Sequence, residues 1–462
     1  MATAAVEQRD TALSLCVPAD DRHGWGFALL LATVATLFLR PADLLPAFED
    51  WPIYQFLLVA CLFVSARAAA ARVTRRTVEA QPVTAWLLLL LVSVAASHLA
   101  HGFFWAARMS FYEVGKLVVL YLLLLALVNT PRRLLRFVQW LTISITVVAV
   151  LALLDRAEVI SVAALEPIHS RDGAAGVDPQ LVERIRGTGI FQDPNDFGLI
   201  LVTGLTFCAA FFFRPATGWP RYLWLAPGAA LLAALALTHS RGALLSLSCV
   251  FPAAVVYRRG WKFGLLAFLC LPLLALVFSS RMTDVSAVNV GTGQSRIQAW
   301  SDSLSVFRQH PLFGLGAGLL VDECGMVTHN SFLHCYAELG LFGGTAFLTC
   351  FLAAGLGLWS LRTQVLQPRA SDHTGRELDD LAHLRVFIFS AVAAYAAGIV
   401  SLSRQFVAPT YLLLALAAVT TSLHGNPAPA WQRGEKFVAL ALLASAAFLA
   451  ATHVAVRLLV SW

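Results

Sequence analysis

Charge is what this sequence has least of. Of its 462 residues only 13% are Asp, Glu, Lys or Arg, where a soluble domain carries roughly a quarter. With 58% hydrophobic residues and a mean hydropathy of +0.72, that shortage excludes an ordinary soluble enzyme. Also lacking are the spacings that hold metals: the eight cysteines form no CxxC, and there is no HExxH. No metal and no cofactor are therefore expected. Cys61, Cys208, Cys249, Cys270 and Cys350 fall inside apolar runs, where they act as small hydrophobes, and Cys16 lies in the N-terminal tail. Cys324 and Cys335 flank a long loop. A bridge between them is not expected, because one lies on a helix and one before it. The first two dozen residues mix both charge signs and have no apolar core, so no cleavable signal peptide is expected. No polar stretch is long enough for a separate soluble core, so residues 1–462 form a single integral membrane domain. The formal charge of +6 does not point to nucleic acid, because basic residues in a membrane protein mostly set orientation.

Long apolar runs fill the space that charge leaves. Bounded by charged residues, they place spans near 25–39, 53–66, 83–98, 112–128, 134–154, 196–213, 221–238, 242–257, 261–278, 330–359, 386–403, 408–423 and 437–458. The fold class is all-α, a polytopic transmembrane helix bundle of about 12–13 spans. Alternate loops are basic: Arg67, Arg72, Arg75 and Arg76; Arg132, Arg133 and Arg136; Arg214 and Arg221; Arg258, Arg259 and Lys262; Arg362, Arg369, Arg376 and Arg385; Arg433 and Lys436. The intervening loops include acidic ones such as that of Asp43, Glu49 and Asp50. The positive-inside rule makes the basic loops, and the N-terminus, cytoplasmic.

Two long loops, 155–195 and 279–328, then fall on the outer side. Loops of that length are uncommon and often functional. The first ends in Arg184-Ile185-Arg186-Gly187-Thr188-Gly189, then Asp193-Pro194, an N-cap followed by proline at the first helical position. The second contains a short helix. Ser295 and Gln298 match a capping box, and Ile297, Trp300, Leu304 and Phe307 form one apolar face that would lie on the bilayer or on the bundle. Arg296 stands in its first turn. Phe313-Gly314-Leu315-Gly316-Ala317-Gly318 reads as a flexible return. Between two spans with almost no loop, Thr238-His239-Ser240-Arg241-Gly242 puts Arg241 close to hydrocarbon, where it needs a partner or must snorkel.

The stretch Thr328 to Gly344 organises the rest. Asn330 or Ser331 caps a long apolar helix, and His329 sits just outside its mouth. Glu338 lies about two and a half turns in, at a depth where a carboxylate is costly. His334 and Glu338 share a face and are expected to bond each other. On one ideal helix His329 and Glu338 would point to roughly opposite sides, so a direct dyad is not expected. The residues alone leave two readings. One is an outward site built from His329, Arg241, Arg296 and Arg186, with Asn330 and Glu338 in support; the other is a capped helix end with snorkelling arginines.

These motifs resemble a known family. His329-Asn330, nine residues, Gly340, two residues and Gly343 is similar to the signature of bacterial O-antigen ligases and O-antigen polymerases. Ser240-Arg241-Gly242, Ser295-Arg296 through Trp300, and Pro311-Leu312-Phe313-Gly314-Leu315-Gly316 resemble the other patterns of that domain, over residues 186–344. The resemblance implies a GT-C-like helical bundle with a long periplasmic loop, in the bacterial inner membrane. It implies metal-independent, inverting transfer of a glycan from an undecaprenyl-pyrophosphate-linked oligosaccharide donor to a hydroxyl. That acceptor would be on a lipid A core, a growing polysaccharide or a protein, and membrane lipids are the surroundings. It also implies that His329, Arg241 and Arg296 are catalytic. Arg186, Asn330 and Glu338 join them as candidate substrate-binding residues read from the sequence. Two other classes stay open from the residues alone: a transporter of a small solute or anion, which paired interrupted helices in two halves would favour, and a non-catalytic scaffold.

Overall fold

The computed structural model describes residues 24–49, 51–172, 180–215, 218–269, 292–364, 375–424, 432 and 434–459. The chain is an all-α bundle. Its main helices are α1 (Gly24–Leu39), α2 (Ile53–Ala70), α3 (Pro82–Leu99), α4 (Phe104–Leu127), α5 (Pro131–Arg156), α6 (Pro194–Phe212), α7 (Leu225–Thr238) and α8 (Arg241–Arg259). They continue with α9 (Trp261–Leu269), α10 (Thr292–Gln309), α11 (Ser331–Ser360), α12 (Gly375–Gly398), α13 (Ala408–Leu423) and α14 (Glu435–Leu459). Among the described residues nine helical stretches are long and apolar enough to cross a membrane, and α1 and α13 are shorter apolar helices. Helix stands at each expected span. The span at 261–278 is described only as far as Leu269, and Cys16, Asp50, Cys270, Arg369 and Arg433 lie outside the described residues.

Local chemistry starts these helices where the sequence suggests. Asp193 accepts from the backbone N–H of Asn195 (2.7 Å) and Asp196 (3.4 Å), with Pro194 behind it. Ser240 caps α8 through the N–H of Ala243 (3.2 Å). Asn330, not Ser331, caps α11, accepting from Phe332 and Leu333 at 3.1 Å each. Such a cap contributes about 1 kcal/mol. Cys324 and Cys335 are both free thiols.

Three features depart from the reading of the sequence. The first outer loop folds a hairpin, β1 (Ile168–Asp172) antiparallel to β2 (Gln180–Arg184), in register Ile168↔Arg184. In the second, α10 already begins at Thr292, so Ser295 sits inside the helix and is not its cap, and Arg296 lies beyond the first turn. Its apolar face lies on the bundle: Ile297 and Leu304 cluster with Leu333 of α11 and Val456 of α14, and Phe307 meets Tyr336 edge-on at 5.8 Å.

The third departure is a break in α11. Gly340 has φ +66° inside the helix, a conformation that a side chain resists. The segment expected to be a flexible return is the reason. Pro311 to Gly316 crosses the break and takes up its orphaned backbone groups. Leu341 N–H donates to Pro311 O (2.8 Å), Gly316 N–H to Glu338 O (2.9 Å) and Leu315 N–H to Ala337 O (3.0 Å). A Cβ on Gly340 would lie 2.3 Å from the Leu312 carbonyl. One turn on, a Cβ on Gly343 would lie 2.6 Å from Ser93 Oγ, so that glycine lets α11 close against α3.

The C-terminal end of α6 is held by ion pairs. Arg214 makes two 2.6 Å hydrogen bonds to the two carboxylate oxygens of Asp380, and Arg132 pairs with Glu377. Arg385 donates to the carbonyl of Leu361 at 2.6 Å. These basic residues act as structural ties.

Candidate functional site

At the other end of α6, four elements converge: the helix mouths of α6, α8 and α11, and the loop Leu402–Val407 between α12 and α13. α10 packs against α11 and presents Arg296 to the same place. Arg296 feels the charges of Asp193 and Arg241, and His329 feels those of Arg296, Asp193, Arg404 and His334. The structure thus brings together His329, Arg241 and Arg296, the three residues that the motifs single out.

His329 is held in a strained backbone. Its φ is +54°, uncommon for a residue with a side chain. Its N–H donates to Ser403 Oγ at 3.0 Å. Ser403 Oγ lies 3.0 Å from His334 Nδ1, and His334 Nε2 lies 2.9 Å from Glu338 Oε1. The carboxylate accepts from Nε2–H, so Nδ1 accepts the Ser403 hydroxyl proton, and Ser403 is free to accept from His329. Glu338 is 1% exposed and Asn330 2%. Both side chains are engaged inside the protein, Glu338 as the anchor of these hydrogen bonds and Asn330 as a helix cap.

Burial, and then the nearby Arg296 charge, pushes the His329 imidazole down to about 4. It is neutral at physiological pH and has a lone pair to offer. Burial also lowers the Arg296 guanidinium, Asp193 opposing and Arg241 adding to the effect. Among the described residues the Arg296 side chain makes no hydrogen bond or ion pair. A partly buried cation left in this way beside a second arginine is an anion site in physical terms.

The sequence reading missed Ser403, Arg404 and Asp196 as a unit. Arg404 Nε bonds the Asp196 carboxylate, its backbone N–H donates to Ser331 Oγ (2.7 Å), and Ser331 Oγ donates to Leu402 O (2.6 Å). The available signal was the polar run Ser401-Leu402-Ser403-Arg404-Gln405 between two apolar runs, which the expected span to residue 403 had absorbed. Arg186 goes elsewhere. Its guanidinium donates to the carbonyls of Glu166 (2.7 Å) and Ala163 (3.4 Å) and ties the first outer loop together. The neighbouring Arg184 works nearer the site. It bonds Thr238 O (2.8 Å) and Asn195 Oδ1 (2.9 Å), and Asn195 in turn accepts from Ser240 Oγ (2.8 Å), fixing the turn that carries Arg241.

Fold and site together define a multi-pass helical membrane protein with a cationic, histidine-bearing site at one end of the bundle. Comparison with known proteins finds a likeness over part of the chain. The sequence model described as O-antigen ligase matches residues 226–348, which include Arg241, Arg296, His329, Gly340 and Gly343 but not Arg186. An O-antigen polymerase of Salmonella muenchen is 29% identical over 178 residues, which is 34% of this chain and 44% of that protein. Over this stretch the chain is similar to O-antigen ligases and polymerases. It spans less than half the length of the curated relative it matches.

Proposed function

We propose that the protein is a glycosyltransferase of the bacterial inner membrane that moves a glycan from undecaprenyl pyrophosphate to a hydroxyl acceptor on the periplasmic side, with its N-terminus in the cytoplasm. The observation that carries this reading is the pairing of a neutral His329 with the unpartnered Arg296 inside the matched stretch. Arg241 and Arg296 hold the pyrophosphate by bidentate hydrogen bonds and stabilise the charge it gains as it leaves. The acceptor oxygen attacks the anomeric carbon opposite the leaving group, so the centre inverts. The bond from that carbon to the pyrophosphate oxygen breaks, and the hydroxyl proton passes to His329. Ser403, His334 and Glu338 position His329 without touching the reacting atoms.

Donor binding strengthens the base. Arg296 repels a proton on His329; a bound pyrophosphate would cancel that charge and raise the imidazole toward its ordinary value, where it is a better proton acceptor. The test supplies lipid-linked oligosaccharide, extracted from the organism's own membranes, to purified protein and identifies by mass spectrometry what receives the glycan. Transfer to lipid A core, to polysaccharide or to protein would distinguish ligase, polymerase and protein O-glycosyltransferase. Donor left intact in the presence of all three acceptors would remove the proposal.

A further inference from the structure

We propose a saccharide-binding subsite in the outer cavity bounded by α1, α2, α4 and the start of α13. It encloses about 540 Å³, within the size range of small-molecule sites. The proposal rests on the glycosyltransferase reading and adds to it a place where sugar units away from the reacting bond are held.

The lining carries the chemistry that hydroxyl-rich ligands need. Trp51 and Tyr54 offer aromatic faces, and Gln55 and Glu49 offer an amide and a carboxylate. Neither Gln55 nor Glu49 has a side-chain hydrogen bond to another part of the chain among the described residues. An amide both donates and accepts, and a carboxylate accepts twice, which suits vicinal hydroxyls. The cations here are already neutralised. Lys116 Nζ is 2.8 Å from Glu113 and lies over the Tyr112 ring at 4.9 Å, and Arg40 Nε is 3.3 Å from Asp43. A second pyrophosphate would find no unpartnered guanidinium comparable to Arg296, so the charge pattern selects a neutral ligand.

Position links the cavity to the reaction. Ile190 and Val407 line it, and the same two residues line a narrow cleft with Asp196 and Arg404 on its other side. That shared wall sets the cavity beside Asp196 and Arg404, whose charge reaches His329. The wall is fixed: Gly189 N–H donates to Asp43 Oδ2 at 2.6 Å, and Gly189 has φ +63° where an added Cβ would lie 3.2 Å from Arg40 Cδ. A glycan with its reacting end at His329 can therefore extend around residues 190 and 407 into the cavity.

The test uses the full chain in lipid nanodiscs, with the organism's lipid-linked oligosaccharide as donor and its acceptor varied separately. Trp51→Ala and the double variant Glu49→Gln/Gln55→Ala are each expected to raise one KM about tenfold, the scale of one lost aromatic or hydrogen-bonding contact. A rise in the acceptor KM assigns the subsite to the acceptor saccharide, and a rise in the donor KM to the donor's distal sugars. Unchanged KM values for both substrates in both variants would overturn the proposal. Against misfolding of these variants, a benzophenone side chain placed at position 55 is irradiated in native membranes. A sugar-bearing adduct is expected, whereas a phospholipid adduct, or none from fully expressed protein, overturns the subsite. Sugar capture by a chain that transfers no glycan would remove the enzyme reading and leave the subsite standing.

Discussion

Arg214 and Arg296 bring the same guanidinium to opposite ends of α6, Arg214 just past its C-terminus and Arg296 near Asp193 at its N-cap; the helix of 19 residues is about 28 Å long. Arg214 meets both oxygens of Asp380 in a forked pair, and both side chains are largely buried. Arg296 meets no side chain among the described residues, although Asp193 is close enough to act on its charge. The first arrangement is complete as folded, and any ligand would have to break it. The second has no hydrogen-bonded partner among the described residues, and in the proposed reaction it meets the donor's pyrophosphate. Arg404 is intermediate: Asp196 claims one edge of its fork while its charge still reaches His329. In this protein the state of the arginine's partner, more than its presence at a membrane surface, separates a structural tie from a site.

The largest expected effect falls on the end that holds Arg241 and Arg296. Lysine at both 241 and 296 keeps two charges but loses the planar fork, and transfer should fall by about 10³-fold while thermal stability changes little. Near-normal transfer by that double variant would remove the arginine clamp. Next comes His329→Ala. Turnover should drop about 10²-fold with binding of the lipid-pyrophosphate donor retained, because the arginines hold the donor. Loss of donor binding would move His329 from proton acceptor to the clamp.

A smaller effect tests the electrostatic coupling between the two. The protonated imidazole cannot accept a proton, and His329 is held down to about 4 in the free protein. The kcat/KM profile should therefore stay level from pH 7 to about 5 and fall tenfold per unit below about 4. Arg296→Gln removes one of the influences that lower this value, so its acid limb should move to higher pH, with burial keeping it below the ordinary 6.5. An unmoved limb would show that the titrating group is not beside Arg296.

Glu338→Gln should be milder still. Its amide oxygen can accept from His334 as the carboxylate does, so more than about a tenth of turnover should survive, with a lower melting temperature as the main loss. The smallest effect on turnover belongs to the paired end. Arg214→Ala leaves Asp380 buried without its partner and should lower stability by about 3 kcal/mol, yet transfer per folded molecule should change less than about twofold. A large loss of turnover with the fold intact would erase the distinction between the two ends.

Much of this was legible in one dimension because its physics is local. Apolar runs require helices in lipid, where each backbone group must bond within its own segment. Asp193-Pro194, Ser240 and Asn330 start helices through groups two or three residues away. The His334–Glu338 pair follows from one turn of helix. The motif residues Arg241, Arg296 and His329 could be named for the same reason. Each lies in a short run whose composition is distinctive over a few residues, Arg241 and His329 at helix mouths and Arg296 in the second turn of α10.

Contacts between distant segments were decided only in three dimensions. Ser403 reaches His329 across 74 positions, and Arg404 reaches Asp196 across 208. No periodicity spans such separations, and the loop Leu402–Val407 is too short to stand out between two apolar runs. The destination of Arg186, the Glu166 and Ala163 carbonyls, depends on how the first outer loop folds back on itself. The break at Gly340 could be suspected from the glycine, but its cause is the crossing of Pro311 to Gly316. The sequence by itself determined a multi-pass helical bundle and the residues able to bind an anion or accept a proton. Tertiary packing decided which arginines are paired within the protein, as Arg214 is with Asp380 and Arg404 with Asp196, because a charge is satisfied by whatever lies within a few ångströms, wherever that stands in the chain.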